Sequence, residues 1–143
     1  MRPIILDTDM LTILQQRKSP DADVLHRRLG RVPKEELLTT VVSFQEQIQG
    51  WMAYLNQARS DRQLLMAYAE LLQVLRDFSG FNVLPFDAVA LNVFDGLRAQ
   101  RLRVGTMDLR IAAIALARGA TVITRNTRDF GRVPGLSVED WTT

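Results

Sequence analysis

The chain alternates between short apolar runs and longer segments in which apolar residues recur every three to four positions. The short runs predict buried strands at Pro3–Leu6, within Leu37–Val42, at Phe81–Phe86, at Ala120–Thr124 and at Leu136–Val138. The longer segments have the period of amphipathic helices. Strands that alternate with helices through short connections predict an α/β fold, a parallel sheet of about five strands with helices on both faces. We expect a single domain over residues 1–143.

Helix starts and ends follow from capping residues. The predicted starts are Thr8 or Asp9, Ser19 with Pro20, Ser43, Ser60, Asp87 and Thr106. Gly30, Ser79-Gly80 and Gly119 mark three of the ends.

Two of these helices carry apolar faces that we expect to be buried. The third helix has Phe44, Ile48, Trp51, Met52 and Leu55 at helical spacing, and the fourth has Leu64, Leu65, Tyr68, Leu71, Leu72 and Leu75. Gly50 within the third helix costs about 1 kcal/mol relative to Ala, so we expect a close packing neighbour there.

Composition restricts the chemistry that the chain can perform. It has no Cys and a single His, His26, which excludes disulfides and argues against zinc sites built from thiolates or imidazoles. Any metal must therefore be held by oxygen, which favours Mg²⁺, with Mn²⁺ possible. No apolar run approaches the roughly 20 residues that cross a bilayer, and the first strand follows the N-terminus directly. We expect a cytoplasmic protein with no membrane partner.

Four separate stretches of the chain are predicted to meet at one edge of the sheet. Asp7 ends the first strand, and the segment 124–129, with Asn126 and Asp129, follows the fourth strand. Glu46 lies one turn into the helix that leaves the second strand, and Asp108 lies in the first turn of the helix that leads into the fourth. Ligands bind beyond the carboxyl ends of parallel strands. These residues therefore form a candidate site, with Asp7, Glu46, Asp108 and Asn126 as the catalytic residues.

Each of these residues also has an ordinary structural explanation. Asp7 could cap a helix, Glu46 fits a capping box that begins at Ser43, and Asp108 suits the positive end of a helix dipole. Asn126 and Asp129 are common turn residues. Together, however, the three acids Asp7, Glu46 and Asp108 would repel one another unless a cation neutralised them. A magnesium ion would do so, and it would activate a water molecule and offset charge on a phosphodiester.

Arginine dominates the basic residues and could serve the substrate. Sixteen of the 18 basic residues are Arg, whose planar fork suits phosphate, although a GC-rich genome would give the same bias. Arg110, Arg125 and Arg128 flank the candidate acids and could hold an RNA backbone.

The same residues resemble a known family, the PIN-domain ribonucleases, and specifically the VapC-type toxins of type II toxin–antitoxin pairs. The likeness spans nearly the whole chain. It rests on Leu6-Asp7-Thr8-Asp9, on Ser43 with Glu46 and Gly50, on residues 105–113 (GTMDLRIAA), on residues 122–130 (VITRNTRDF), and on residues 133–136 and 139–141.

The resemblance implies a PIN-like fold and a magnesium-dependent endoribonuclease that acts on tRNA, rRNA or mRNA. Asp7, Glu46 and Asp108 would bind the metal, and Thr8, Ser43 and Thr124 would be supporting hydroxyls, with Asp9 and Asp129 beside them. Family members often carry a fourth acid where this chain has Asn126, which puts a second, tightly held metal in doubt. The resemblance also implies a homodimer and a small antitoxin partner.

Two alternatives remain open. Asp7-Thr8-Asp9 after an apolar strand is also similar to the nucleophile motif of haloacid dehalogenase-type phosphatases. Those enzymes want a Thr where this chain has Leu11, and a late Lys, whereas the last Lys here is Lys34. The second alternative is a PIN scaffold, weak or inactive in catalysis, that binds RNA or a protein partner without cutting RNA.

Overall fold

The computed structural model describes residues 2–16 and 19–143, and its centre is a parallel sheet. Among the residues described, the sheet has five strands in the order β3-β2-β1-β4-β5, and every neighbouring pair is parallel. The strands are β1 (Ile4–Leu6), β2 (Leu37–Thr40), β3 (Asn82–Leu84), β4 (Thr121–Ile123) and β5 (Ser137–Glu139). The predicted five-stranded parallel α/β fold is confirmed.

In residues 2–16 and 19–143, seven helices connect and cover the strands. They are α1 (Thr8–Gln16), α2 (Pro20–Leu29), α3 (Val41–Asn56), α4 (Asp61–Ser79), α5 (Ala88–Ala99), α6 (Thr106–Arg118) and α7 (Thr127–Phe130). A short 3₁₀ turn at Lys34–Glu36 precedes β2. Among the helices described, none is long and apolar enough to cross a membrane.

The apolar core forms two layers, one on each face of the sheet. Ile5 of β1 faces the layer that contains α5 and α6, whereas its neighbours Ile4 and Leu6 face the layer that contains α1, α2 and α4. This alternation follows from the period of two along a strand. Since β1 is covered on both sides, it reads in the sequence as an unbroken apolar run.

Three predicted caps are wrong by one to three residues. Helix α1 already includes Thr8 and Asp9, so neither of them caps it. Helix α3 begins two residues before Ser43, and its cap is Thr40, whose hydroxyl accepts a hydrogen bond from the Ser43 N–H at 3.1 Å. Helix α6 is preceded by Gly105 as the cap residue, with Thr106 already helical. In contrast, Ser19, Ser60 and Asp87 cap α2, α4 and α5 as predicted. The structure thus removes the capping-box explanation for Glu46, because Ser43 is not the cap.

The predicted burial of the α4 stripe is wrong. Its buried residues are Ala67, Val74 and Phe78, whereas most of the predicted stripe lies open to solvent. We call this surface the α4 apolar face, and it consists of Leu64, Leu65, Tyr68, Leu72 and Leu75, which are 41–71% exposed.

The expectations for α3 are met in part. Three of the predicted residues pack against the core layer that contains α1, α2 and α4, namely Phe44, Ile48 and Trp51. Met52, in contrast, is exposed. The expected close neighbour of Gly50 is absent, because a Cβ at that position would meet no atom within 4 Å in the part of the chain described.

Candidate active site

Asp7 lies at the carboxyl end of β1 and is almost completely buried. Its N–H continues the strand ladder by donating to the Ile123 carbonyl oxygen at 3.0 Å. The Thr124 hydroxyl donates to Asp7 Oδ2 at 2.9 Å. Burial, followed by the negative charge of Asp9, raises the pKa of Asp7 from its ordinary value of 3.8 to about 7. The first and fourth strands therefore hold a carboxylate that is costly to ionise.

Asp9 is the second residue of α1, and it belongs to the same hydrogen-bonded group as Asp7 and Thr124. Its Oδ2 accepts hydrogen bonds from the Arg125 N–H at 2.9 Å and from the Thr124 hydroxyl at 3.3 Å. Its Oδ1 is buried and accepts no hydrogen bond from any residue described. Burial is the main cause that raises the pKa of Asp9, and the Arg125 and Thr124 donors work against it. Asp9 thus links the start of α1 to the loop after β4.

Glu46 is held by the first residue of α1. The Thr8 hydroxyl donates to Glu46 Oε1 at 2.9 Å, across 38 positions of sequence. Ser43, in contrast, is fully buried, and its hydroxyl accepts from the Thr40 hydroxyl at 3.4 Å. Ser43 therefore helps to fix the start of α3, one turn before Glu46, rather than bonding to an acid.

Asp108, Asn126 and Asp129 form the other half of the site. The Asn126 amide Nδ2 donates to Asp108 Oδ2 and to Asp129 Oδ2, both at 3.2 Å. The Asn126 N–H donates to the Thr124 hydroxyl at 3.0 Å, which connects this half to Asp7. Burial, and then the charge of Glu46, raises the pKa of Asp108 to about 6.

The three predicted substrate-binding arginines have different surroundings. Arg110 lies over the Phe94 ring, 5.5 Å from its centroid, while Arg128 is exposed on α7. The guanidinium of Arg125 pairs with Asp21 of α2, and its Nε donates to the Thr142 hydroxyl at 3.4 Å. Asp21 and Thr142 carry no signal in the sequence that connects them to the site.

The structure brings the predicted acids into one network of hydrogen bonds and charges, but the acids do not form a complete set of metal ligands. Among the residues described (2–16 and 19–143), no group of three or more His, Cys, Asp or Glu side chains is arranged to hold a metal ion. The donors nevertheless suit a hard cation, since carboxylate and hydroxyl oxygens surround the site. The unpartnered Oδ1 of Asp9 and the raised pKa of Asp7 both indicate negative charge that lacks compensation. A magnesium site needs only one or two carboxylates, because this ion keeps several of its waters.

Comparison with known protein families identifies the fold family. The family model described as PIN domain matches residues 4–136. The chain belongs to the PIN domain family. The predicted family is thus confirmed, and the match favours the nuclease interpretation over the phosphatase alternative.

Curated relatives of this PIN domain carry VapC names. The tRNA(fMet)-specific endonuclease VapC of Shigella flexneri is 43% identical over 75 residues, which cover 49% of this chain and 57% of that protein. The match therefore spans little more than half of that relative. Ribonuclease VapC1 of Haemophilus influenzae is 28% identical over 143 residues, which cover 96% of this chain and 97% of that protein.

Solved structures share the whole fold. The DNA-bound VapBC of Salmonella typhimurium includes a chain with a TM-score of 0.78 and 27% identity, with 99% of each chain covered. VapBC-1 of nontypeable Haemophilus influenzae has a TM-score of 0.76 at 20% identity, with 98% of each chain covered, and this likeness concerns the fold alone.

Proposed function

We propose that this PIN domain is a magnesium-dependent endoribonuclease that acts in the cytoplasm as the toxin of a toxin–antitoxin pair, with tRNA, rRNA or mRNA as its substrate. The observation that carries the proposal is the buried network in which Thr124 bonds to Asp7 and Asn126 bonds to Asp108. An acid as deeply buried as Asp7 is costly to the fold, which a cation-dependent function would explain. The ribonuclease names of the relatives support the same assignment.

In this proposal three acids bind the cation. Asp7 and Asp108 would bind Mg²⁺ directly, and Glu46, oriented by the Thr8 hydroxyl, would bind it directly or through water. When bound, the ion supplies charge stabilisation for a phosphodiester and makes a water molecule more acidic. Thr124 fixes the rotation of the Asp7 carboxylate, and Asn126 keeps Asp108 and Asp129 apart without adding charge. Arg110 and Arg128 would hold the RNA backbone.

The test is cleavage of mixed tRNA and rRNA by purified protein, in millimolar Mg²⁺ and in chelator. We expect cleavage only with Mg²⁺, and loss of at least a hundredfold in rate for Asp108→Asn. The matched control is Asp95→Asn, which removes an exposed acid on α5 that pairs with Arg98 at 3.5 Å. Equal RNA integrity with Mg²⁺ and with chelator, at high protein excess, would favour the non-cutting scaffold.

We also propose that a small antitoxin protein covers the α4 apolar face. The related structures include the DNA-bound VapBC of Salmonella typhimurium and a toxin–antitoxin complex from Klebsiella pneumoniae. Beside this face, a groove of about 450 Å³ between α1, α3 and α4 is lined by Leu11, Trp51 and Phe78 and by the acids Asp77 and Glu70. An apolar groove with two acidic lining residues suits an amphipathic helix that carries basic residues.

The groove also offers a route to the site. Leu11 lies three positions after Thr8 on α1, which is roughly 5 Å along the helix axis. A chain in the groove can therefore continue over the acids. If a small open reading frame adjoins the gene, co-expression with its product should give a complex with the unsubstituted protein and none with Leu72→Arg, while RNA cleavage by Leu72→Arg persists. A complex that survives this substitution would assign the face another role.

A second copy of the chain is our proposed occupant for the opposite side of α3. A recess of about 610 Å³ there is lined by Val42, Phe86, Phe94 and the exposed Val41 and Leu91. Light scattering after gel filtration should give twice the chain mass of 16.2 kDa. Leu91→Arg should return the monomer mass, and a monomeric unsubstituted protein would contradict the proposed homodimer.

A further inference from the structure

Arg125 lies between the two residues that orient the candidate acids. On one side, Thr124 donates to Asp7 at 2.9 Å, and on the other, Asn126 donates to Asp108 at 3.2 Å. The backbone N–H of Arg125 itself donates to Asp9 Oδ2 at 2.9 Å. A shift of the backbone at residue 125 would therefore move both hydrogen bonds to the acids at once.

The side chain of Arg125 is anchored outside the site. Its guanidinium pairs with Asp21 in the first turn of α2, and its Nε donates to the Thr142 hydroxyl at 3.4 Å. Neither anchor belongs to the loop after β4, because Asp21 lies on α2 and Thr142 lies 17 positions further along the chain than Arg125. Two of the guanidinium nitrogens, Nη2 and Nε, thus point to protein groups, whereas a substrate-binding arginine needs its paired donors available for phosphate.

The second anchor is itself well fixed. The Thr142 N–H and hydroxyl both donate to Asp140 Oδ1, at 2.9 and 2.6 Å. Next to it, Arg28 of α2 lies 4.9 Å from the centroid of the Trp141 ring and donates to the Asp140 carbonyl oxygen at 3.4 Å. Segment 140–143 and α2 therefore form one support, to which Arg125 connects the loop.

We propose that Arg125 is a positioning residue that fixes the loop 124–126, and through it Asp7 and Asp108, rather than a residue that holds RNA. The inference rests on the proposed ribonuclease function, because the position of Asp7 and Asp108 matters only if these acids bind an ion and take part in the reaction. Positioning errors of about 1 Å can cost up to a hundredfold in rate. The Arg125–Asp21 pair is nearly half exposed, so its loss should change the rate far more than the melting temperature.

The experiment compares Arg125→Ala, Arg125→Lys and Asp21→Asn, with two readouts. The first is kcat and KM on a fluorescent single-stranded RNA oligonucleotide in Mg²⁺, and the second is Mn²⁺ affinity by electron paramagnetic resonance without RNA. The matched control is Arg118→Ala, since Arg118 is 44% exposed, pairs with Asp87 at 3.9 Å, and lies at the far end of α6 from Asp108.

For Arg125→Ala we expect a roughly tenfold lower kcat, KM within about twofold, and several-fold weaker Mn²⁺ binding. The melting temperature should fall by no more than about 4 °C. Arg125→Lys should recover most of the activity because Lys can still pair with Asp21. Asp21→Asn should show part of the Ala defect, and Arg118→Ala should show none of it.

Two results would overturn the inference. One is a raised KM with unchanged kcat and Mn²⁺ affinity in Arg125→Ala, which is the signature of a lost phosphate contact. The other is an Arg125→Ala protein equal to the unsubstituted one in both readouts. An unsubstituted protein that cuts no RNA would contradict the proposed ribonuclease function instead. The Mn²⁺ affinities would then still decide whether Arg125 positions the acids, and an unsubstituted protein that binds no Mn²⁺ would overturn this inference as well.

Discussion

The burial of Asp7 predicts that the metal-free protein loses stability as pH rises. Asp7 is only 5% exposed, and burial, with the Asp9 charge as the next cause, raises its pKa to about 7. The perturbation that tests this is Asp7→Asn, which keeps the shape of the side chain but removes the charge. The amide oxygen of Asn can still accept the hydrogen bond that Thr124 donates to Asp7 at 2.9 Å.

The sign follows from proton binding in the two states. The folded protein keeps the Asp7 proton up to about pH 7, whereas the unfolded chain releases it near the ordinary value of 3.8. Between these values the folded state binds more protons, so the free energy of unfolding falls as pH rises. The Asp7 contribution is fully present below about pH 4 and is lost once pH exceeds about 7. From pH 5 to 8 the loss amounts to about 3 kcal/mol, because the folded protein keeps the proton over about two of these pH units and one unit corresponds to about 1.4 kcal/mol.

Urea unfolding in chelator at pH 5, 6, 7 and 8 measures this loss. With a slope of about 1–3 kcal/mol per molar urea, a change of about 3 kcal/mol moves the midpoint by roughly 1–3 M. Asp7→Asn should flatten most of the decline and be more stable than the unsubstituted protein at pH 8. Part of the decline should persist, because burial also raises the pKa values of Asp9 and Asp108.

The control for this experiment is Asp95→Asn, whose side chain is exposed on α5. It should keep the full pH dependence of the unsubstituted protein. The reasoning is refuted if Asp7→Asn declines with pH as steeply as the unsubstituted protein does. A flat stability profile of the unsubstituted protein between pH 5 and 8 would refute it equally.

Three further predictions concern the cation, the amide and the helix glycine. Addition of 10 mM Mg²⁺ at pH 8 should raise the melting temperature by a few degrees if the dissociation constant is about 1 mM, and should not do so for Asp108→Asn; calorimetry checks both. Asn126→Asp should cost about 1–3 kcal/mol in chelator, because it places a third charge against Asp108 and Asp129, and Mg²⁺ should restore most of it. Gly50→Ala should add about 1 kcal/mol in urea unfolding, whereas Ala at Gly119, with φ of +63°, should destabilise.

The sheet and the convergence of the acids were predictable because both depend on local patterns and on topology. Apolar runs identify β1 and β4, and parallel strands connected by right-handed crossovers must end at one edge. Asp7 and Thr124 therefore meet even though 117 positions separate them. Helix α7 was not predicted, because its four residues are too few to show a helical period.

Other features depend on tertiary contacts, which the spacing of apolar residues along the chain does not reveal. The α4 apolar face has the same spacing as a buried stripe, so the pattern does not distinguish a core neighbour from a protein partner. The pairing of Arg125 with Asp21 requires α2 to approach the loop after β4, and the chain carries no local signal of that approach. Such a contact depends on how helices pack across the edge of the sheet, rather than on any single segment.

The hydrogen bonds divide the candidate site into two halves that share one short loop. The first half consists of Asp7, Asp9 and Thr124 and is buried, and within the described part of the chain no group donates to Asp9 Oδ1. The second half contains Asp108 and Asp129, whose facing oxygens the Asn126 amide already satisfies. A carboxylate at position 126 would add a ligand but would leave three acids facing one another before any cation arrived. With Asn126, the second half is assembled in advance, and a cation would connect Asp108 in this half to Asp7 in the first. The conformation of the loop 124–126, more than the number of acids, therefore determines whether the two halves can serve one ion.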